Sequence, residues 1–286
     1  IFLILIFLFF YFFMYSYIYY FDTKKKINLN SLYKISKYYK EFDNWSMYKF
    51  ALLRNKNYNQ YIFGTSTALE YNPYLINEKY GINIINLSFP GAKIEHIYLF
   101  IKEIINRNKE VDNIIIDLKY HMFSERVTGL NMPLILHENK YFNFLKIMKS
   151  GDFKFYTNYL IEDLKLNFNK NKPLTMDKNF IYGSRSSNTK KNFDFKLDLP
   201  PIKTIKGKLD KNQINKFQKI VELLKSKNIK LTVFFSPYTS SFLELNNSEL
   251  FKKEEELKII IKDIYKNIFI FKNYYITNNY LYFYDH

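Results

Sequence analysis

The chain has no cysteine. That excludes a disulfide framework, a thiolate metal site and a cysteine nucleophile, and it is compatible with an oxidising, exported compartment. Arginine is scarce. Most of the 43 basic residues are lysine, set against 27 acidic ones for a formal charge of +16. Bidentate contacts to phosphates and base edges favour arginine. The lysines are also spread along the chain rather than gathered in one patch, so the basic balance does not point to nucleic acid. It fits attraction to anionic lipid headgroups or acidic glycans better. There is no His-Glu-x-x-His and no paired acidic spacing, so neither a metal nor another cofactor is expected. No internal repeat is visible. The sequence opens on Ile1 instead of methionine, which reads as a chain missing its front.

What is present begins with a long apolar run. Residues 1–21, IFLILIFLFFYFFMYSYIYYF, carry no charge, no proline and no glycine. A helix needs roughly 20 apolar residues to cross about 30 Å of hydrocarbon. Tyr15 to Phe21 has the aromatic composition of a membrane interface, and Asp22, Lys24, Lys25 and Lys26 close the segment. The alternatives are a cleaved signal or a buried core helix, but no small-residue cleavage site follows. The expectation is a transmembrane or signal-anchor helix over 1–22, a juxtamembrane lead-in over 23–57 with helical fragments at 32–42 and 45–53, and a globular body over 58–286. The lipid bilayer is then a partner. The protein would sit in the cytoplasmic membrane in a single pass.

The body begins with short apolar runs, each closed by a polar or glycine turn. They are 60–63 before Gly64-Thr65-Ser66-Thr67, 82–87 before Ser88-Phe89-Pro90-Gly91, and 113–118 before Lys119-Tyr120-His121. A helix with apolar residues at spacings of three and four follows Gly91. This alternation predicts parallel βαβ units. The stretch 68–80 reads as a loop and a short helix interrupted by Pro73. Residues 124–210 break the rhythm and read as an insertion, helical over 141–168 and then rich in Asn, Lys and Ser. The pattern returns with a helix over 211–227 capped by Asp210, a strand at 231–235, a charged helix over 248–264 and a strand at 268–271.

In open parallel sheets, ligands sit beyond the carboxyl ends of the strands. Ser66 follows the first strand, where a hydroxyl lies at the rim of the sheet and suits acyl transfer. Turn or capping duty is the plainer reading of the same serine. Gly91 follows the second strand, where a residue without a side chain lets an N–H approach a ligand. Asp285 and His286 follow the last apolar run, as an orienting acid and a base would. His121 is a further site candidate. His96, on an amphipathic helix, and His137, inside the insertion, read as structural.

These motifs in this order resemble the SGNH/GDSL hydrolase superfamily, and within it the membrane-anchored bacterial branch of the D-alanine-transfer protein of teichoic acid modification and of polysaccharide O-acetylation proteins. The carriers are YIFGTSTALEYNP (61–73), INLSFPGAKIEH (85–96), IIIDLKYHMF (114–123), VFFSPYTSSF (233–242) and the terminal YFYDH. The resemblance implies a three-layer α/β sandwich with a mostly parallel sheet. It implies Ser66 as nucleophile and the N–H groups of Ser66 and Gly91 as the oxyanion site. The family's last block is Asp-x-x-His. With Asp285 as its acid, the histidine falls beyond His286; the alternative is the contiguous Asp285–His286 pair. The block III asparagine of secreted members has no match. The implied activity is serine-dependent acyl transfer or ester hydrolysis on a cell-envelope glycan at the outer face of the membrane. The alternative is a degenerate member that binds envelope polymer or a partner membrane acyltransferase.

Overall fold

In the computed structural model, the described residues are 2, 5, 6, 9, 11–13, 15, 16, 31, 45–55, 58–107, 110–125, 152–169, 178–184, 208–236 and 240–270. In chain order their elements are α1 (Trp45–Asn55), β1 (Gln60–Phe63), a 3-10 turn (Thr67–Glu70), α2 (Pro73–Tyr80), β2 (Ile84–Asn86), α3 (Ile94–Arg107), β3 (Asn113–Asp117), a second 3-10 turn (Tyr120–Phe123), α4 (Asp152–Asn169), α5 (Lys178–Ile181), α6 (Lys211–Ser226), β4 (Lys230–Phe235), α7 (Ser240–Ile264) and β5 (Ile268–Ile270). The chain divides into two compact units, Ile1–Asn57 with Leu130–Met176, and Tyr58–Gly129 with Asp177–His286.

The second unit holds one sheet of five parallel strands in the order β2-β1-β3-β4-β5. The central strands are short apolar runs because both of their faces are covered. Tyr61, Ile62 and Phe63 of β1, Ile114 and Ile116 of β3, and Val233 and Phe235 of β4 are all buried. Parallel crossovers are right-handed almost without exception. Stepping left from β1 to β2 therefore places α2 on one face, and stepping right places α3, α6 and α7 on the other. The packing agrees: α3 lies on α6, α6 touches α7, and α5 lies against α2. The buried stripe of α3, Ile94, Ile97, Phe100, Ile101 and Ile104, follows the helical period and faces that layer.

The α/β class and the parallel sheet are as the sequence indicates. Pro73 differs, because it begins α2 instead of interrupting it. Its missing N–H costs nothing at the first helical position. Asn72 caps the helix by accepting the Leu75 N–H at 3.4 Å, and Gly81 ends it in the left-handed region. α7 starts at Ser240, earlier than residue 248. At the β2 edge, the Asn77 side-chain amide imitates a strand. Its Oδ1 accepts the Ile84 N–H at 2.8 Å and its Nδ2 donates to the Ile84 carbonyl at 3.0 Å. The Asn86 N–H goes to the Tyr182 carbonyl at 3.0 Å. These bonds occupy backbone groups that would otherwise template another strand.

In the first unit, α1 is buried along Tyr48, Lys49, Phe50, Ala51, Leu52 and Leu53. Lys49 Nζ lies 5.5 Å from the ring centres of both Trp45 and Tyr48. Ser31 donates to Asp163 of α4 at 3.3 Å.

The expected membrane anchor is corrected by the structure. Among the described residues, no helix is long and apolar enough to cross a membrane. The single-pass placement in the cytoplasmic membrane and the bilayer as a partner fall with that anchor. The expected helix at 32–42, the first part of the one at 141–168, His137, Asp285 and His286 lie outside the described residues.

Candidate functional site

The strand order reverses direction at β1, so the chain leaves β1 and β3 toward opposite faces. The carboxyl ends of these two strands flank the crevice where such sheets take ligands. Gly64 stands at the β1 exit and leaves no room for a side chain. A Cβ there would lie 2.5 Å from the Ala68 Cβ and 3.2 Å from the Asp117 Cβ. The missing side chain lets the first 3-10 turn fold back on its own strand, close against the end of β3.

Ser66 opens that turn. Its backbone is already helical, with φ −54 and ψ −39, and its hydroxyl makes no capping bond. Among the described residues the half-buried Ser66 hydroxyl has no hydrogen-bond partner. The exits of β1 and β2 stay joined past the strands, with the Leu87 N–H on the Ile62 carbonyl at 2.8 Å and the Phe89 N–H on the Gly64 carbonyl at 3.3 Å. This places Ser66 and Gly91 on neighbouring exits. Gly91 has φ 69, a region that glycine occupies without strain. Neither the Ser66 nor the Gly91 amide donates a hydrogen bond among the described residues.

Asn86, the last residue of β2, is fully buried. Its Nδ2 donates to the Ala68 carbonyl at 2.6 Å and the Tyr71 carbonyl at 3.1 Å, and its Oδ1 accepts the Ser88 N–H at 2.9 Å. Ser184 adds a hydroxyl bond to the Tyr71 carbonyl at 2.8 Å.

Across the crevice, Asp117 ends β3 with no exposed surface. Its Oδ1 accepts the Ser236 N–H at 3.1 Å, and its Oδ2 accepts the Ser236 hydroxyl at 2.9 Å and the Tyr71 hydroxyl at 3.1 Å. Lys119 donates from Nζ to the Ser236 carbonyl at 2.7 Å. Burial pushes the Asp117 carboxyl up from its ordinary range, and Lys119 and the Ser236 and Tyr71 bonds oppose that rise. Burial lowers the Lys119 ammonium, with Asp117 and Glu254 pulling the other way. Burial, and then the Asp117 charge, keep the Tyr71 phenol protonated far above its usual range.

Two of the histidines, His96 and His121, lie among the described residues. His96 is buried at the start of α3, where Nδ1 accepts the Lys93 N–H at 3.1 Å and Nε2 lies 3.8 Å from Glu95. It is a structural residue of the helix start. His121 lies in the second 3-10 turn, and its carbonyl accepts the Ser124 hydroxyl at 3.0 Å. Among the described residues no serine, histidine and carboxylate form a triad, and no three His, Asp or Glu are clustered to hold a metal.

Acyl transfer to an envelope glycan at the outer membrane face, and the degenerate variant serving a membrane acyltransferase, are therefore corrected. Both depend on a membrane span, and among the described residues no helix is long and apolar enough to make one. Sequence reasoning missed Asn86, Tyr71 and Ser236. On that side the sequence pointed to the β3 exit at Lys119-Tyr120-His121 and to His121, but nothing local showed that Asp117 closes the strand against Tyr71 and Ser236. No protein-family model matches the chain, and no curated protein matches it.

Proposed function

We propose that the crevice between the β1 and β3 exits is the reaction site of an SGNH-type esterase or acyltransferase, with Ser66 as its nucleophile toward an acyl ester. The observation that carries the reading is the uncommitted Ser66 hydroxyl on the turn at the point where the sheet reverses direction. The Ser66 and Gly91 amides support it, since two unengaged N–H groups on adjoining exits suit a developing oxyanion. In this reading the Ser66 Oγ attacks the ester carbonyl as its proton passes to the base, the ester C–O bond breaks and the leaving alkoxide takes up that proton, and water or a hydroxyl acceptor then takes the acyl group from Ser66. The resemblance assigns the base and its orienting carboxylate to the block containing Asp285 and His286.

The test is reaction of the protein with a fluorophosphonate, followed by peptide mass spectrometry, beside hydrolysis of a short p-nitrophenyl ester. The adduct is expected on the peptide containing Ser66. Ser66→Ala is expected to lower ester turnover at least about 100-fold. Unchanged turnover in a folded Ser66→Ala protein, or an adduct elsewhere, would overturn the assignment.

A further inference from the structure

We infer that Asn86 is a positioning residue that sets the Ser66 turn against the Gly91 turn; the inference rests on the proposed role of Ser66. Three hydrogen bonds carry it. The Nδ2 bonds end on the Ala68 and Tyr71 carbonyls, two and five residues past Ser66. The Oδ1 bond holds the Ser88 N–H, three residues before Gly91. One side chain thus spans both exits. The turn's own bonds, Ala68 N–H to Thr65, Leu69 N–H to Ser66 and Tyr71 N–H to Ala68, are internal and fix its shape; Asn86 joins the Ser184 and Asp117 bonds at Tyr71 in fixing its place, and of these it alone also holds the exit that leads to Gly91.

The residue type follows from the geometry. An exposed asparagine at a strand end is ordinary turn material. This one has no exposed surface, and all three bonds run to backbone. Only a primary amide supplies donors for two carbonyls and an acceptor for an N–H within so short a side chain. A leucine of similar size would leave two carbonyls and one N–H without these partners. Displacing a nucleophile by about 1 Å from its oxyanion donors can cost about 100-fold in rate.

Asn77 provides a matched control. It makes two side-chain bonds to the backbone at the other end of the same strand and, among the described residues, none to the Ser66 turn. The experiment compares wild type, Asn86→Ala, Asn86→Asp and Asn77→Ala for p-nitrophenyl ester kinetics, fluorophosphonate labelling of Ser66 and thermal midpoint. Asn86→Ala is expected to lower kcat and labelling rate about 10- to 100-fold, with KM within about twofold. Asn77→Ala is expected to lower the midpoint while keeping kcat. Should Asn86→Ala fail to fold, Asn86→Asp at two pH values decides. Its ionised carboxylate repels the Ala68 and Tyr71 carbonyls, so its labelling rate relative to wild type should rise as pH falls and the group is protonated. Equal kcat in Asn86→Ala and wild type, losses that merely track the midpoint in both asparagine variants, or a pH-independent ratio for Asn86→Asp would overturn the inference. A wild-type protein that is not labelled at Ser66 would remove the proposed function itself, a result distinct from labelling that survives at Asn86.

Discussion

At the residue scale, Gly64 is the most constrained position of the candidate site. The serine that follows it was visible as a motif, but the reason for the glycine was not, because the atoms that exclude a side chain come from Ala68 and Asp117. Gly64→Ala forces a methyl into a 2.5 Å gap beside the Ala68 Cβ. Overpacking of this kind costs about 1–3 kcal/mol. Gly64→Ala is therefore expected to lower stability by that amount in urea unfolding and to slow Ser66 labelling, because the turn must shift. Wild-type labelling together with wild-type stability would show that the turn has slack. The same contrast holds at Asn86. Its identity was plain in the sequence, but its function needs Ala68, Tyr71 and Ser88, brought around it by the β1–β2 pairing.

At the scale of elements, the strands were legible because a strand covered on both faces must be an almost continuous apolar run. Their observed bounds lie within about two residues of the expected ones, the usual uncertainty of element ends. Pro73 was misjudged because proline breaks a helix interior yet favours its first position, and only the Asn72 cap shows which applies. Helix α1 holds a test of its own. Burial lowers the Lys49 ammonium well below its ordinary range. Its folded pKa is thus below the unfolded value of about 10.4, so its contribution is most favourable above that value and is lost as pH falls through the folded pKa. Lys49→Met is expected to stabilise the protein at pH 7, because it removes the cost of taking an amine that is protonated in the unfolded chain out of water. The gain should shrink as pH approaches about 10. Urea midpoints at the two pH values check it, and a gain of equal size at both would show that the charge is not what is costly.

At the scale of the whole molecule, Asp117 links stability to pH through groups gathered from three places in the chain. Tyr71 and Ser236 lie 46 and 119 residues away from it in sequence. Its folded pKa is raised by burial. The protonated form is the one the fold favours, so the stabilisation is complete below the unfolded value of about 3.9 and is lost as pH rises through the folded pKa. Asp117→Asn keeps the shape and removes the titration. Its thermal midpoint relative to wild type is therefore expected to be more favourable at pH 7 than at pH 4. A difference that stays flat, or runs the other way, would mean that Lys119 and the hydroxyl bonds outweigh burial.

Periodicity and turn chemistry act over a few neighbouring residues, so the sequence by itself determined the α/β class, the parallel strands, their exits and the place of Ser66 and Gly91 on those exits. Only the tertiary structure decided what surrounds them. Strand order created the crevice between β1 and β3, and long-range packing gave Asn86, Tyr71, Asp117 and Ser236 their partners. It also corrected the reading of the amino-terminal run. Apolar composition is a local property, whereas a span requires one unbroken helix of sufficient length, and none is found among the described residues.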